Sequence, residues 1–456
     1  MNKYDVIIIG GGPAGYRAAE KLSEFKRSVC IIETSANHIG GTCLNSGCIP
    51  IKSFVESSDL VEKIKNSPSF GINAELKLLC VRSIKESMRD NIYILKKGLL
   101  SLLNSKKIEI LYGKASFISE KSVKVELEKG GTEELEAYFF IIATGSRPGE
   151  LPDIKCDGKQ ILNSNQFLKS DLDNWKKDIL IAGGGYIGCE LASILNKLEF
   201  KVTVVELLDR ILPGEDAEIS RTLQREFKKK GISVITGSRI SKASKKKSGI
   251  KTVIRSEESN DEKVLQFDRI IVCAGRVPFT SGLDLEKAGL NTENGFVPVN
   301  QNMQTKAENI YAAGDVIDSP MLAHTAYREA LLAAESIAGQ SQSVINYNIV
   351  PRIVFSSPQI GCIGSSEEKA AENGIEIMTR KRFFKANAKA VIRNEEAGFA
   401  KIICNKKSGE IIGACVIGPE ASELIHILSH AVLNKLNIRE MDNIVFGHPT
   451  LSEIFI

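Results

Sequence analysis

The chain has 456 residues, 43% of them hydrophobic and 25% charged, with a formal charge of +4. That is chain for about three domains with separate cores, of ordinary globular composition, and the small charge gives no reason to expect a nucleic-acid partner. Its 10 cysteines are too few and too scattered for a disulfide-stapled secreted fold, and none forms a Cys-x-x-Cys pair or a cluster of zinc-like spacing, so no metal is expected.

The run Tyr4–Ile9 leads into GGGPAG at Gly10–Gly15 and then an Ala-rich helical stretch, and a second apolar run, Val29–Ile32, ends at Glu33. Strand, glycine turn, helix, strand and acid follow in the order of a dinucleotide-binding unit. The glycines permit a tight turn and close approach of backbone to a pyrophosphate. The helix N-terminus faces that anion, and the acid accepts hydrogen bonds from ribose hydroxyls. No targeting segment precedes this run and no stretch approaches the ~18 apolar residues of a membrane span, so the expectation is a cytoplasmic protein without a membrane partner.

Directly after comes GGTCLNSGCIPIK, from Gly40 to Lys52, with Cys43 and Cys48 five residues apart. Two thiols this close in a glycine-flanked segment point to a disulfide that opens and closes during turnover. Lys85–Leu103 reads as a long helix. Lys107–Phe117 and Ser122–Glu128 alternate like strands, and Phe139–Ile142 ends in the turn ATGSRP from Ala143 to Pro148.

The nucleotide unit then returns. Asp178–Ile181 enters GGGYIG at Gly183–Gly188, followed by an Ala/Leu helix, the strand Lys201–Val205 and Glu206. The copies repeat at one spacing of 173 residues, Gly15 to Gly188 and Glu33 to Glu206. Two such folds with a dithiol segment between them imply two dinucleotides. The basic run Lys242–Lys251 reads as a solvated hairpin turn, and IIVCAGRVP, Ile270–Pro278, parallels the earlier small-residue turn. Asn309–Val316 reads as a buried strand ending in Gly314-Asp315; Asp315 reads equally as a helix N-cap or as an acceptor for a cofactor hydroxyl. Met321–His324 then opens a helix through Ala338. From Pro351 the chain changes to strands (Arg352–Phe355, Phe399–Cys404, Ile411–Ile417) and helices (Glu367–Asn373, Ser422–Lys435), an α+β domain without a glycine fingerprint. His426 and His430, four apart, read as a structural helix face, a pair of metal ligands being the weaker reading. The chain closes on GHPTLSE, Gly447–Glu453.

Taken together, the GGTCLNSGCIPIK segment, the two fingerprints, the ATGSRP turn, Gly314-Asp315 and the HPTLSE segment resemble the flavin disulfide reductases, in order and over essentially the whole chain. Within them the sequence is most similar to the dihydrolipoyl dehydrogenases; LDRILPGED after Glu206 and FKANA from Phe384 favour these over glutathione or mercuric reductases. The resemblance implies an α/β fold of two Rossmann-like domains, for FAD and NAD, plus a C-terminal α+β dimerisation domain. The expected boundaries are 1–148 for the FAD domain with the redox pair, 149–276 for NAD, 277–348 for the return to the FAD and central region, and 349–456 for dimerisation. It implies FAD bound through Gly10, Gly12, Gly15, Glu33, Gly41, Thr42, Lys52, Gly113, Thr144, Gly145, Ser146, Gly314, Asp315, Met321, Leu322, Ala323 and His324. NAD would lie on Gly183, Gly185, Ile187, Gly188, Glu190, Glu206 and Gly275. The implied catalytic set is Cys43, facing substrate, Cys48, facing the flavin, and a His448–Glu453 base pair from the other subunit of a homodimer. The implied reaction is oxidation of protein-bound dihydrolipoamide on lipoylated domains of 2-oxo acid dehydrogenase or glycine-cleavage complexes. The alternatives are another NAD(P)H-dependent disulfide reductase and a non-catalytic scaffold. Two features depart from the family pattern. Ile51 stands where serine is usual, and Ile456 comes three residues after Glu453, where relatives usually continue with residues that would pack at the subunit interface.

Glu206 should bond a free ribose 2′-hydroxyl and repel a 2′-phosphate. NADH is therefore expected over NADPH, and steady-state rates with each at equal concentration check it; faster turnover with NADPH contradicts the reading.

Overall fold

Strands covered on both faces are apolar along their whole length rather than alternating, and Val6–Ile9 and Val29–Ile32 follow that rule, with exposures of 4% or less. The computed structural model describes residues 2–170, 172, 175, 177–246, 249–340 and 344–456. Contacts divide the chain into two units.

The first unit comprises Met1–Ser53, Ser83–Gly149 and Arg276–Tyr347. Its sheet places Val29–Glu33 and Thr132–Ile142 on either side of the first strand, Asn2–Ile9, with Glu109–Ser119 and Ile310–Ala312 outside them, all parallel. Ser122–Leu127 runs antiparallel between the Glu109 and Thr132 strands. Helices Pro13–Glu24 and Ala323–Ile337 pack on each other. The strand ends point the Gly10 turn, the Ala143–Ser146 turn and Gly314 towards one edge, where ligands bind in open α/β sheets.

The second unit comprises Phe54–Arg82, Glu150–Gly275 and Asn348–Ile456. A parallel sheet runs in the order Ser233–Ile235, Lys201–Val205, Asp178–Ala182, Arg269–Val272, Ile161–Asn163, with Asp178–Ala182 at its centre. The basic run falls in an antiparallel hairpin, Ser238–Lys246 with Gly249–Ser256, extended by Glu262–Phe267; its turn, residues 247–248, lies outside the described residues. The C-terminal part is an antiparallel sheet covered by helix Ala421–Leu433.

That C-terminal sheet holds two strands more than the sequence pattern predicts. Gln359–Gly364 has two glycines where a strand pattern expects side chains. A Cβ on Gly361 would stand 2.6 Å from the Ala421 carbonyl oxygen, so the crossing helix demands the glycine. Ile377–Phe383, rich in Arg and Lys, is the edge strand, where charge guards an unpaired backbone.

The duplication seen in sequence is also one of backbone packing. A Cβ on Gly15 would lie 1.8 Å from the Gly10 carbonyl oxygen, and on Gly188 2.0 Å from that of Gly183. Gly10 and Gly183 adopt φ of +111° and +113°, each closed over the turn of the neighbouring strand, at Ala143 and Cys273. By contrast, a Cβ on Gly185 would meet nothing within 4 Å.

Gly188→Ala should therefore lower stability by about 3 kcal/mol through overpacking, whereas Gly185→Ala should cost less than about 1 kcal/mol, the size of a lost N-cap preference. Thermal or denaturant unfolding of the two variants checks this, and equal losses contradict it.

Candidate active site

Both fingerprint helices begin with a glycine N-cap, Gly12 or Gly185, that offers no side-chain cap to the first-turn N–H groups. Uncapped donors at a helix start beside open space suit an anion. The acids at the second strands hold matching positions. Glu33 accepts the Gly11 N–H at 2.9 Å through one oxygen and Thr34 N–H and hydroxyl through the other. Glu206 accepts the Gly184 N–H at 2.5 Å and the Leu208 N–H at 2.9 Å. A carboxylate has about four lone-pair sites, so Glu206 keeps two beyond these bonds. The donor sets thus fit two dinucleotides. Gly113 pairs across the strands with Leu127, next to the Glu33–Tyr112 level, and a Cβ there would strike the Glu126 carbonyl at 2.6 Å. Glu190 is buried and accepts the Phe355 N–H at 3.0 Å, Ile187 is half-buried in the first turn, and Gly275, at φ +80°, faces open space.

The dithiol segment is built onto the first fingerprint. Gly40 donates its N–H to the Gly11 carbonyl at 2.9 Å. A Cβ on Gly41 would lie 2.6 Å from the Gly12 Cα, so only glycine permits the approach. The Asn45 amide clamps the carbonyls of His38, Ile39 and Gly41 at 2.8–3.2 Å. Cys43 sits in the short helix Gly41–Ser46, which ends at Gly47; a new helix, Cys48–Asn66, starts at Cys48 and accommodates Pro50 in its first turn. The break brings the Cys43 and Cys48 side chains together within hydrogen-bond reach. The Cys48 hydrogen bond and burial push the Cys43 thiol well above its usual range, against the pull of the Lys52 ammonium. Cys48, as the first residue of a 19-residue helix, stands where negative charge is favoured. Ile51 is buried, filling core space where a serine was the family expectation.

A third group gathers at the strand ends of the same unit. Thr144 donates its hydroxyl to the Phe279 carbonyl at 2.6 Å and Gly145 takes φ +72°. Ser146 donates to the Asp315 carboxylate. The Arg276 guanidinium donates to Ser146 Oγ and its carbonyl, both at 2.7 Å, and stands 3.7 Å from Asp315. The two parallel small-residue turns of the sequence meet here as an antiparallel ladder, Ser146–Pro148 with Arg276–Pro278. Burial lowers the affinity of Arg276 for its proton, opposed by the charges of Asp315 and Cys48. Arg276 was not among the expected site residues; it directly follows Gly275, the place that Ser146 takes after Gly145. Glu329, fully buried, was also missed. It accepts the Gly314 N–H at 2.7 Å and the Tyr347 hydroxyl at 3.0 Å, and burial raises its carboxyl. Asp315 thus has side-chain partners rather than a capping role; Met321 and Leu322 precede the helix that carries Ala323 and His324, which starts at Ala323.

In the second unit, His448 Nδ1 meets Glu453 Oε1 at 2.9 Å, while Glu453 Oε2 accepts the Thr450 N–H at 2.7 Å. The Thr450–Glu453 spacing is a capping box, so the turn that ends the chain also aims the acid at the histidine. Both bonds, Thr450 first, hold the Glu453 carboxyl below its usual range. The imidazole is 74% exposed, with Nε2 left for a proton donor. His426 and His430 lie exposed on helix Ala421–Leu433, and among the described residues neither enters a metal-like cluster. Asp216, Glu218 and Glu367 do converge, but around the buried Lys401 ammonium, 2.8 Å from Asp216 and 3.4 Å from Glu218. The cation there is a side chain.

Residues 4–330 match a family model described as pyridine nucleotide-disulphide oxidoreductase, and residues 350–456 match the dimerisation domain of that family. A dihydrolipoyl dehydrogenase of Bacillus subtilis is 38% identical over 98% of this chain and 96% of its own length. A mitochondrial dihydrolipoyl dehydrogenase of Arabidopsis thaliana is 35% identical over 98% of this chain and 88% of its own. The crystal structure of LpdA from Mycobacterium tuberculosis matches with a TM-score of 0.91 at 27% identity, over 100% of this chain and 98% of that one. The HOCl-induced flavoprotein disulfide reductase RclA of Escherichia coli matches with a TM-score of 0.87 at 26% identity, over 99% and 98%.

Removing the Arg276 charge leaves the half-buried Asp315 with one partner fewer, a loss of about 2 kcal/mol. Arg276→Met should therefore hold FAD about thirtyfold more weakly, read by flavin content and by titration of the apoprotein; unchanged flavin affinity contradicts the cluster's part in the site.

Proposed function

The chain belongs to the pyridine nucleotide-disulphide oxidoreductase family, and from that premise we propose that it is a dihydrolipoyl dehydrogenase. It is an oxidoreductase with FAD and NAD as cofactors and forms a homodimer. The observation that carries the proposal is the Cys43–Cys48 pair, seated on the first fingerprint through Gly41 and within the field of Lys52.

We assign FAD to the first fingerprint with Glu33, Lys52, Gly113, Thr144–Ser146, Asp315 and the Met321–His324 turn. NAD is assigned to Gly183–Gly188, Glu190, Glu206 and Gly275, in domains bounded as the sequence suggests. When bound, FAD supplies the two-electron carrier between the thiols and the pyridine nucleotide.

Dihydrolipoamide arrives as a dithiol of high pKa, so a base is needed near neutral pH. His448 of the partner subunit takes the first thiol proton on Nε2, and Glu453 fixes the ring through Nδ1 and stabilises the imidazolium. The resulting thiolate attacks the Cys43 sulfur. The Cys43–Cys48 bond breaks, and its electron pair leaves on Cys48, where the helix start and Lys52 favour a thiolate. The second substrate thiol then attacks the first substrate sulfur, forming lipoamide; the bond to Cys43 breaks, its electron pair goes to Cys43, and Cys43 takes up the proton that the second thiol gives up. The natural substrates on this reading are lipoylated domains of 2-oxo acid dehydrogenase or glycine-cleavage complexes in the cytoplasm.

Cys48→Ser should retain flavin but lose NAD reduction by dihydrolipoamide by at least ~10³-fold, and His448→Gln should slow it by about 10²–10⁴-fold. A full rate in the Cys48→Ser enzyme ends the proposal.

A further inference from the structure

Helix Ala323–Ile337 turns a face of small residues to the core, with Ala326, Ala330 and Ala333 buried, and among them stands an acid. Glu329 is 0% exposed. Burying a carboxyl group costs stability unless its oxygens are hydrogen-bonded, and an apolar side chain would pack here at less cost. Its partners are two neutral donors. The Gly314 N–H donates to one oxygen at 2.7 Å and the Tyr347 hydroxyl to the other at 3.0 Å.

The backbone at Gly314 accounts for the acid. Strand Ile310–Ala312 is still followed by one bond to the sheet, from the Ala313 N–H to the Ile142 carbonyl at 3.0 Å. The chain then passes between two helices. A Cβ on Gly314 would lie 3.2 Å from Ala14 Cβ, in the first turn of the fingerprint helix, and 3.5 Å from Ala326 Cβ. The residue also takes φ +80°. Both demands select glycine, and glycine is the residue least able to hold its own peptide in one orientation. Bonds from outside must hold it. Ile317 donates its N–H to the Gly314 carbonyl at 2.9 Å, and Glu329 takes the Gly314 N–H. Tyr347 in turn holds the carboxyl group in place. The next residue along is Asp315, whose carboxylate accepts from Ser146 and faces the Arg276 guanidinium at 3.7 Å.

We propose that Glu329 is a positioning residue for the flavin: by holding the Gly314 N–H it fixes the backbone from which Asp315 reaches the cofactor. The inference rests on the reading of FAD at the first fingerprint with Asp315 among its partners. The two acids then have separate tasks. Asp315 faces the Ser146 and Arg276 cluster, whereas Glu329 touches backbone and a phenol. The role asks only for an acceptor, so a carboxamide should fill it. A glutamine oxygen takes the Gly314 N–H, and its NH2 donates to the Tyr347 oxygen.

The test compares Glu329→Gln, Glu329→Ala and Tyr347→Phe with the wild type. Each apoprotein is titrated with FAD by flavin fluorescence, the visible circular dichroism of the bound flavin is recorded, and apoprotein melting temperatures check folding. Glu329→Ala should hold FAD about tenfold or more weakly, and Glu329→Gln should stay within about threefold of the wild type. Tyr347→Phe, which loosens the carboxyl but leaves it an acceptor, should fall between them. Flavin dichroism should change in Glu329→Ala and Tyr347→Phe and not in Glu329→Gln. A role in core stability alone would lower the melting temperature and leave the dichroism as it is. Wild-type affinity in Glu329→Ala, equal losses in Glu329→Ala and Glu329→Gln, or weaker binding with unchanged dichroism overturns the positioning role while FAD binding stands. If Glu329→Ala does not fold, Tyr347→Phe decides, and wild-type affinity and dichroism there overturn the role. If the wild-type apoprotein takes up no FAD, the cofactor assignment and this inference fall together.

Discussion

At Gly12 and Gly41 two pieces of backbone touch where no side chain fits: a Cβ on Gly41 would stand 2.6 Å from the Gly12 Cα. Gly12 caps the first fingerprint helix, and Gly41 opens the helix that carries Cys43. The thiols are thus registered to the nucleotide turn by main-chain geometry, through that contact and the Gly40–Gly11 hydrogen bond. Side-chain packing could drift with rotamers, but this junction cannot, because the close approach of backbone to backbone excludes every residue larger than glycine. The break at Gly47 then follows as a second requirement. It ends one helix and starts another so that Cys48 lies at a helix N-terminus beside its partner sulfur.

The same nucleotide unit is used twice, and the copies differ at one point. The turns at Gly10 and Gly183 superpose in φ, in the packing of Gly15 and Gly188, and in the bond from the acid to the second glycine. Only the first copy has a dithiol loop against its N-cap; in the second, Gly185 faces open space. The first fingerprint is therefore tied by backbone to the thiols, and the second is open at its N-cap. Charge is disposed to match. Lys52 and Arg276 bring cationic fields to the two sulfurs, and Asp315 anchors Arg276 from behind.

Most of this was legible in the sequence because it depends on glycine and on short spacings. The fingerprints, the acids at Glu33 and Glu206, the dithiol run and the HPTLSE segment each carry a local signature. The strand Lys201–Val205 was read to the residue. What was missed depends on contacts distant along the chain. Arg276 and Ser146 meet across 130 residues, Glu329 reaches back 15 residues to Gly314, and Tyr16 meets Tyr327 across 311. Gln359–Gly364 escaped because its glycines answer to a helix that crosses it, and Ile377–Phe383 because an edge strand hides its pattern under charge. Periodicity reports an element's own faces; it does not report who comes to lie on them.

The central claim is that the Cys43–Cys48 pair carries electrons between a dithiol substrate and the flavin. Anaerobic titration of the purified holoenzyme with dihydrolipoamide, followed at flavin wavelengths, tests it most directly. The account predicts that two electrons per subunit bring up a long-wavelength absorbance of a thiolate against oxidised flavin, and that adding NAD then removes it with formation of NADH. Direct bleaching of the flavin by dihydrolipoamide without that absorbance, or no reaction at all, would contradict it.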